Sequence, residues 1–109
     1  MSALYAMRYV GGASGGIGAV YVGKNVIVGI DAGNGHYHGT YTESGGRMKA
    51  TITLSAPTGA TLVTGKPMPA GSKIQLTADW PANFATGQQQ IIVAGSPVNV
   101  TFEKIGDVP

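Results

Sequence analysis

The 109-residue sequence contains no cysteine, which excludes disulfide bridges, thiolate catalysis and thiolate metal sites together. That absence suits a reducing compartment. Charge is scarce as well: 11% of the residues are charged, and seven Lys and Arg stand against five Asp and Glu for a net charge of +2. The basic residues Arg8, Lys24, Arg47, Lys49, Lys66, Lys73 and Lys104 occur singly along the chain. A nucleic-acid surface concentrates cations on one face, so no nucleic-acid partner is expected. Gly, Lys or Asn interrupts every apolar stretch within a few residues, so no membrane span is expected. The first eight residues, Met1-Ser2-Ala3-Leu4-Tyr5-Ala6-Met7-Arg8, lack a basic region followed by an apolar run. No secretory leader is therefore read there, and the expected location is cytoplasmic.

Helical periodicity is missing too. No window of twelve or more residues repeats apolar groups at helical spacing, and Gly or Pro would break most candidates. What is present is 43% hydrophobic residues and eighteen Gly, with the Gly falling between short runs rich in Val, Ile, Thr and Tyr. Such runs predict strands near 3–10, 17–22, 25–31, 36–43, 47–55, 60–64, 72–79, 88–94 and 97–104. Gly23-Lys24-Asn25 and Ser44-Gly45-Gly46 read as tight hairpin turns. Strict alternation places Met48, Ala50, Ile52 and Leu54 on one face of a half-buried strand, and Val98, Val100 and Phe102 on one face of another. The segment from Asp79 to Gly87 is the one place for a short helical turn. The sum is one all-β domain over residues 1–109, an antiparallel up-and-down barrel of about eight strands. Low charge near neutrality favours self-association, so a homodimer is expected.

Four features invite a chemical reading. Gly12-Ala13-Ser14-Gly15-Gly16-Ile17-Gly18 looks like the fingerprint with which short-chain dehydrogenases cradle a dinucleotide. That chemistry needs a helix after the glycines. Here Ala19 to Gly29 is β-branched and interrupted by Gly, so the segment reads as a hairpin loop. His36 and His38, at i and i+2, share one face of a strand and with Asp31 or Glu43 nearby could form a metal site, but two imidazoles without an evident third ligand are a weak signal and surface histidines are the commoner case. No nucleophile–base pair stands out among the Ser and Thr, and the carboxylates Asp31, Glu43, Asp79, Glu103 and Asp107 are dispersed. No catalytic residue, cofactor or metal is assigned, and the chain reads as a non-enzyme. Tyr5, Met7 and Tyr9 share one strand face and Tyr37 and Tyr41 another, which reads as core packing or as the lining of a small-molecule cavity. Gly18, Ala19, Gly29 and Gly39 are small enough to leave room for one. Trp80-Pro81 with Phe84 reads as a barrel cap or as an anchor for a partner, the cap being the preferred reading.

With these pieces in order, the chain resembles the GrlR-like family, negative regulators of type III secretion. The resemblance is carried by Leu4-Tyr5, by Gly18-Ala19-Val20-Tyr21-Val22, and by Val26 to Asp31 followed by Gly35-His36-Tyr37-His38-Gly39-Thr40-Tyr41. Gly46-Arg47-Met48-Lys49-Ala50-Thr51-Ile52 continues it, so the likeness is best over residues 3–54. It implies a lipocalin-like barrel that dimerises and represses by sequestering a transcriptional activator. It also implies that Glu43, Ser44, Gly45 and Gly46 occupy the partner-binding loop, where only Glu43 is acidic. The expected function is a non-catalytic binding module that sequesters a protein partner. The alternative is a small-molecule carrier using the barrel interior near Tyr5, Met7, Tyr9, Tyr37 and Tyr41.

Overall fold

The computed structural model describes residues 2–109. Ten strands follow one another: β1 (Ser2–Val10), β2 (Gly15–Gly23), β3 (Val26–Asp31), β4 (His36–Ser44), β5 (Arg47–Ala56), β6 (Ala60–Thr61), β7 (Pro67–Met68), β8 (Ser72–Pro81), β9 (Gln89–Val93) and β10 (Ser96–Asp107). A single 3₁₀ turn, Phe84–Thr86, lies between β8 and β9, where the sequence allowed one helical turn. Eight strands form one antiparallel sheet in the order β8-β5-β4-β3-β2-β1-β10-β9, and β6 and β7 make a separate small hairpin. The eight-stranded sheet curls until its edges β8 and β9 meet, giving a nearly closed barrel.

Local chemistry explains the connections. The two-residue turns Lys24-Asn25, Gly45-Gly46 and Ala94-Gly95 all have positive φ at both positions, as the twist of a tight hairpin demands. In the first of these it is Lys24, at φ 52°, that adopts the left-handed conformation together with Asn25, and not Gly23. Curling is the work of other glycines. A Cβ at Gly18 or Gly29 would approach a neighbouring backbone carbonyl to 2.6 or 2.5 Å, and one at Gly39 would fall on the Thr51 carbonyl oxygen. Only glycine permits such close strand packing where a sheet bends sharply. These residues therefore shape the wall and do not open space inside it. Near the end of β10 the pairing slips: Tyr5 faces Lys104 but Leu4 faces Gly106. Ile105 is the extra residue of a bulge and stands 61% exposed.

The inward faces follow the alternation. Met48, Ala50, Ile52 and Leu54 are buried, as are Val98 and Val100, with Phe102 packed against them. One end of the barrel is plugged by aromatics: Phe84 lies 5.2 Å from Tyr5 and 5.1 Å from Phe102, and Trp80 lies 5.5 Å from Phe102, ring centre to ring centre. Across the seam Trp80 Nε1 donates to the Gln90 carbonyl at 2.9 Å, and Gln89 Nε2 donates to the Phe84 carbonyl at 3.1 Å. Trp80 and Phe84 thus cap the barrel and close its edge in one device. No described helix is long and apolar enough to cross a membrane.

Candidate ligand cavity

Up-and-down connectivity puts alternate turns at opposite ends. The end away from the aromatic plug gathers the β1–β2 loop, the β3–β4 turn, the long β5–β8 excursion and the β9–β10 turn. The excursion folds back as the β6–β7 hairpin and lies over this end as a lid. Leu62 and Met68 hold it from within, being buried. Val63 O accepts hydrogen bonds from Ala13 N at 2.8 Å and Ser14 N at 3.1 Å. On the other side Asn34 Nδ2 donates to Thr58 Oγ1 at 3.2 Å. The glycine-rich segment that resembled a dinucleotide cradle is therefore a turn running into β2, and its loop amides serve the lid.

Beneath the lid is a partly open cavity of about 150 Å3. Most of its wall is apolar, including Val20, Ile27, Leu54, Leu62 and Met68, and the aromatic plug forms its floor through Trp80, Phe84 and Phe102. Asp31, Tyr37 and Tyr9 supply a polar corner at the β3–β4 turn. Asp31 Oδ1 accepts from Gly33 N at 3.0 Å and Gly35 N at 2.8 Å, a local turn that a short carboxylate side chain builds readily. Tyr37 Oη donates to Asp31 Oδ2 at 2.7 Å. Burial raises the Tyr37 phenol strongly, and its bond to Asp31 adds to the effect. Burial, then the negative Asp31 carboxylate, pushes Tyr9 up to about 12. Both phenols are consequently neutral donors throughout the physiological range.

Of the five residues expected around a cavity, Met7, Tyr9 and Tyr37 line it. Tyr5 and Tyr41 do not. They point inward but lie nearer the plugged end, where Tyr5 packs on Phe84 and Phe102 and both are buried in the core. The sequence reading missed Asp31 as a wall residue. Its signal was present in Asp31-Ala32-Gly33-Asn34-Gly35, a turn sequence followed after His36 by the inward-facing Tyr37. Ala19 and Gly39 do not line the cavity, while Gly33 and Gly35 do. A Cβ at Gly35 would sit 2.6 Å from Asp31 Oδ2, so glycine there keeps the carboxylate in place.

The other candidates lie elsewhere. Glu43, Ser44, Gly45 and Gly46 form the exposed β4–β5 turn at the plugged end, where Gly46 O accepts from Ala82 N at 2.8 Å. His36 and His38 are exposed on the outer face of β4, and His36 Nε2 lies 3.0 Å from Asn34 Oδ1. No cluster of three or more potential metal ligands occurs among the described residues.

No family model, curated protein or solved structure matches this chain.

Proposed function

We propose that the protein is a small-molecule carrier that holds a compact, largely apolar ligand inside the barrel. The observation that carries this reading is the cavity of about 150 Å3 under a lid, apolar except at one corner. A cavity of that size accepts a benzene-sized body. A few converging polar groups in an apolar pocket are the usual arrangement for fixing a ligand's orientation. Trp80, the single tryptophan, forms part of the floor, so its fluorescence reports occupancy. Titration with toluene and benzyl alcohol is expected to change Trp80 emission saturably, and Ala60→Leu, which fills space beneath the lid, is expected to weaken the response. Absence of any saturable change with either compound would remove the carrier reading.

A second reading has its own observation, an apolar outer face across β1, β2 and β3. The register aligns Leu4, Tyr21 and Val28 in one row and Ala6, Ala19 and Ile30 in the next, with Ile17 beside Arg8. Leu4, Ile17, Val28 and Ile30 are 39%, 58%, 46% and 48% exposed. A contiguous apolar face of this kind serves as an interaction surface. Its proposed occupant is a second copy of this chain, because a net charge of +2 offers little self-repulsion. In the GrlR-like regulators that the sequence resembles, dimerisation accompanies sequestration of an activator. That lipocalin-like, cytoplasmic regulatory role is the alternative function, with Glu43 and its exposed turn as the contact. Sedimentation of wild type against Val28→Lys/Ile30→Lys decides the occupant. A dimer that the double variant dissociates supports the reading, and a wild-type monomer at all concentrations overturns it.

A further inference from the structure

We infer that the cavity selects a small hydrophobic cation, a protonated primary amine on a short aryl or alkyl body. This deepens the carrier reading and rests on it. The polar corner has one sign of charge. Asp31 is the only residue with a charged side chain on the cavity wall, where no Lys, Arg or His is found. The two ion pairs among the described residues, Arg47–Asp79 and Lys104–Asp107, leave Asp31 without a cationic partner.

The neutral groups around the carboxylate are already committed. Gly33 N and Gly35 N occupy Oδ1, Tyr37 Oη donates to Oδ2, and the Tyr9 hydroxyl stands close enough to interact with both Asp31 and Tyr37. A carboxylate oxygen has capacity for a further donor. Because Tyr37 donates its proton to Asp31, its oxygen can act only as an acceptor, shared with the neighbouring Tyr9 hydroxyl. An ammonium group placed there meets the Oδ2 charge and the phenol oxygens of Tyr37 and Tyr9, and a charged donor on a carboxylate makes the stronger class of hydrogen bond. A ligand carboxylate in the same place meets a like charge. The apolar remainder of the wall, with Leu62 and Met68 from the lid, accounts for the rest of the ligand. The available 150 Å3 limits that remainder to about one ring or an equivalent short chain.

The test compares three compounds of nearly one shape, benzylamine, benzyl alcohol and benzoate, by Trp80 fluorescence and by NMR chemical-shift titration of the folded protein at neutral pH. Benzylamine is expected to bind about tenfold more tightly than benzyl alcohol, the margin of a charge-assisted over a neutral hydrogen bond. Benzoate is expected to bind most weakly. Asp31→Asn keeps an acceptor for the turn amides and is expected to erase the amine preference, so that benzylamine and benzyl alcohol bind this variant about equally. Tyr37→Phe keeps the charge and is expected to retain the order of the three compounds, which serves if Asp31→Asn does not fold. Equal binding of amine and alcohol, or tighter binding of benzoate, overturns the inference and leaves the carrier reading intact. Failure of all three compounds to bind overturns both.

Discussion

Asp31 has two roles whose demands coincide. It ties the β3–β4 turn through Gly33 and Gly35, and it presents an oxygen to the cavity through its link to Tyr37. The neighbouring phenol gives the molecule an alkaline limit. Tyr9 is raised from 10.0 to about 12 in the folded protein, by burial first and by Asp31 second. Its contribution to stability is complete below the unfolded value and is lost as pH climbs through the folded one, because the unfolded chain gives up that proton earlier. Stability is therefore expected to fall between pH 10 and 12, and less steeply in Tyr9→Phe, as urea unfolding across that range would measure. Gly39 is a second decisive residue. Its Cβ position is occupied by the Thr51 carbonyl, so Gly39→Ala is expected to cost about 1–3 kcal/mol of unfolding free energy. Ala94 offers the opposite case. It holds φ 49° in a turn that favours Asn or Gly, and Ala94→Asn is expected to stabilise by about 1 kcal/mol. Thermal or denaturant unfolding checks both.

Among the elements, the β6–β7 hairpin differs from the rest. Its two short strands pair only with each other, at Ala60 with Met68 and Thr61 with Pro67. It reaches the barrel through buried Leu62 and Met68 and a few lid hydrogen bonds. Segments with so few backbone bonds open at lower free energy than the ladders they cover. Hydrogen exchange is expected to be faster at the lid amides of Leu62 and Gly65 than at Ile52 or Val20, and to slow there on ligand binding. Equal protection of lid and barrel would argue against the lid as the entry route. The aromatic plug behaves differently, because Trp80 joins the two sheet edges by its bond to Gln90. Trp80→Phe is expected to destabilise by about 1–3 kcal/mol through the unpaired carbonyl and the lost contact.

For the whole molecule, an inner cavity and an outer apolar face are separate devices on opposite sides of the same strands. Val20 and Ile27 look inward at the cavity, while Tyr21 and Val28, one residue along, look out. The two readings can thus be tested apart. Val28→Lys/Ile30→Lys is expected to change sedimentation without changing benzylamine binding, and Asp31→Asn to do the reverse.

Much of this was legible in the residues themselves. Alternation in Met48 to Leu54 and Val98 to Phe102, together with Gly- and Asn-bearing turns, determines strands that have one apolar face, and short turns between them leave an up-and-down meander as the natural solution. The sheet observed is that meander. Tertiary structure decided which inward residues touch empty space. Alternation says that Tyr5, Tyr9, Tyr37 and Tyr41 point inside, but depth along the barrel separates them, and depth depends on strand stagger and on where the plug sits. It also decided that Gly18, Gly29 and Gly39 serve curvature, since their need is set by a neighbouring strand's carbonyl. The meeting of Asp31, Tyr9 and Tyr37 has the same origin. Tyr9 lies on β1, one strand removed from β3, and its ring reaches Asp31 by lying across Gly16 of the intervening β2, where any Cβ would collide with it.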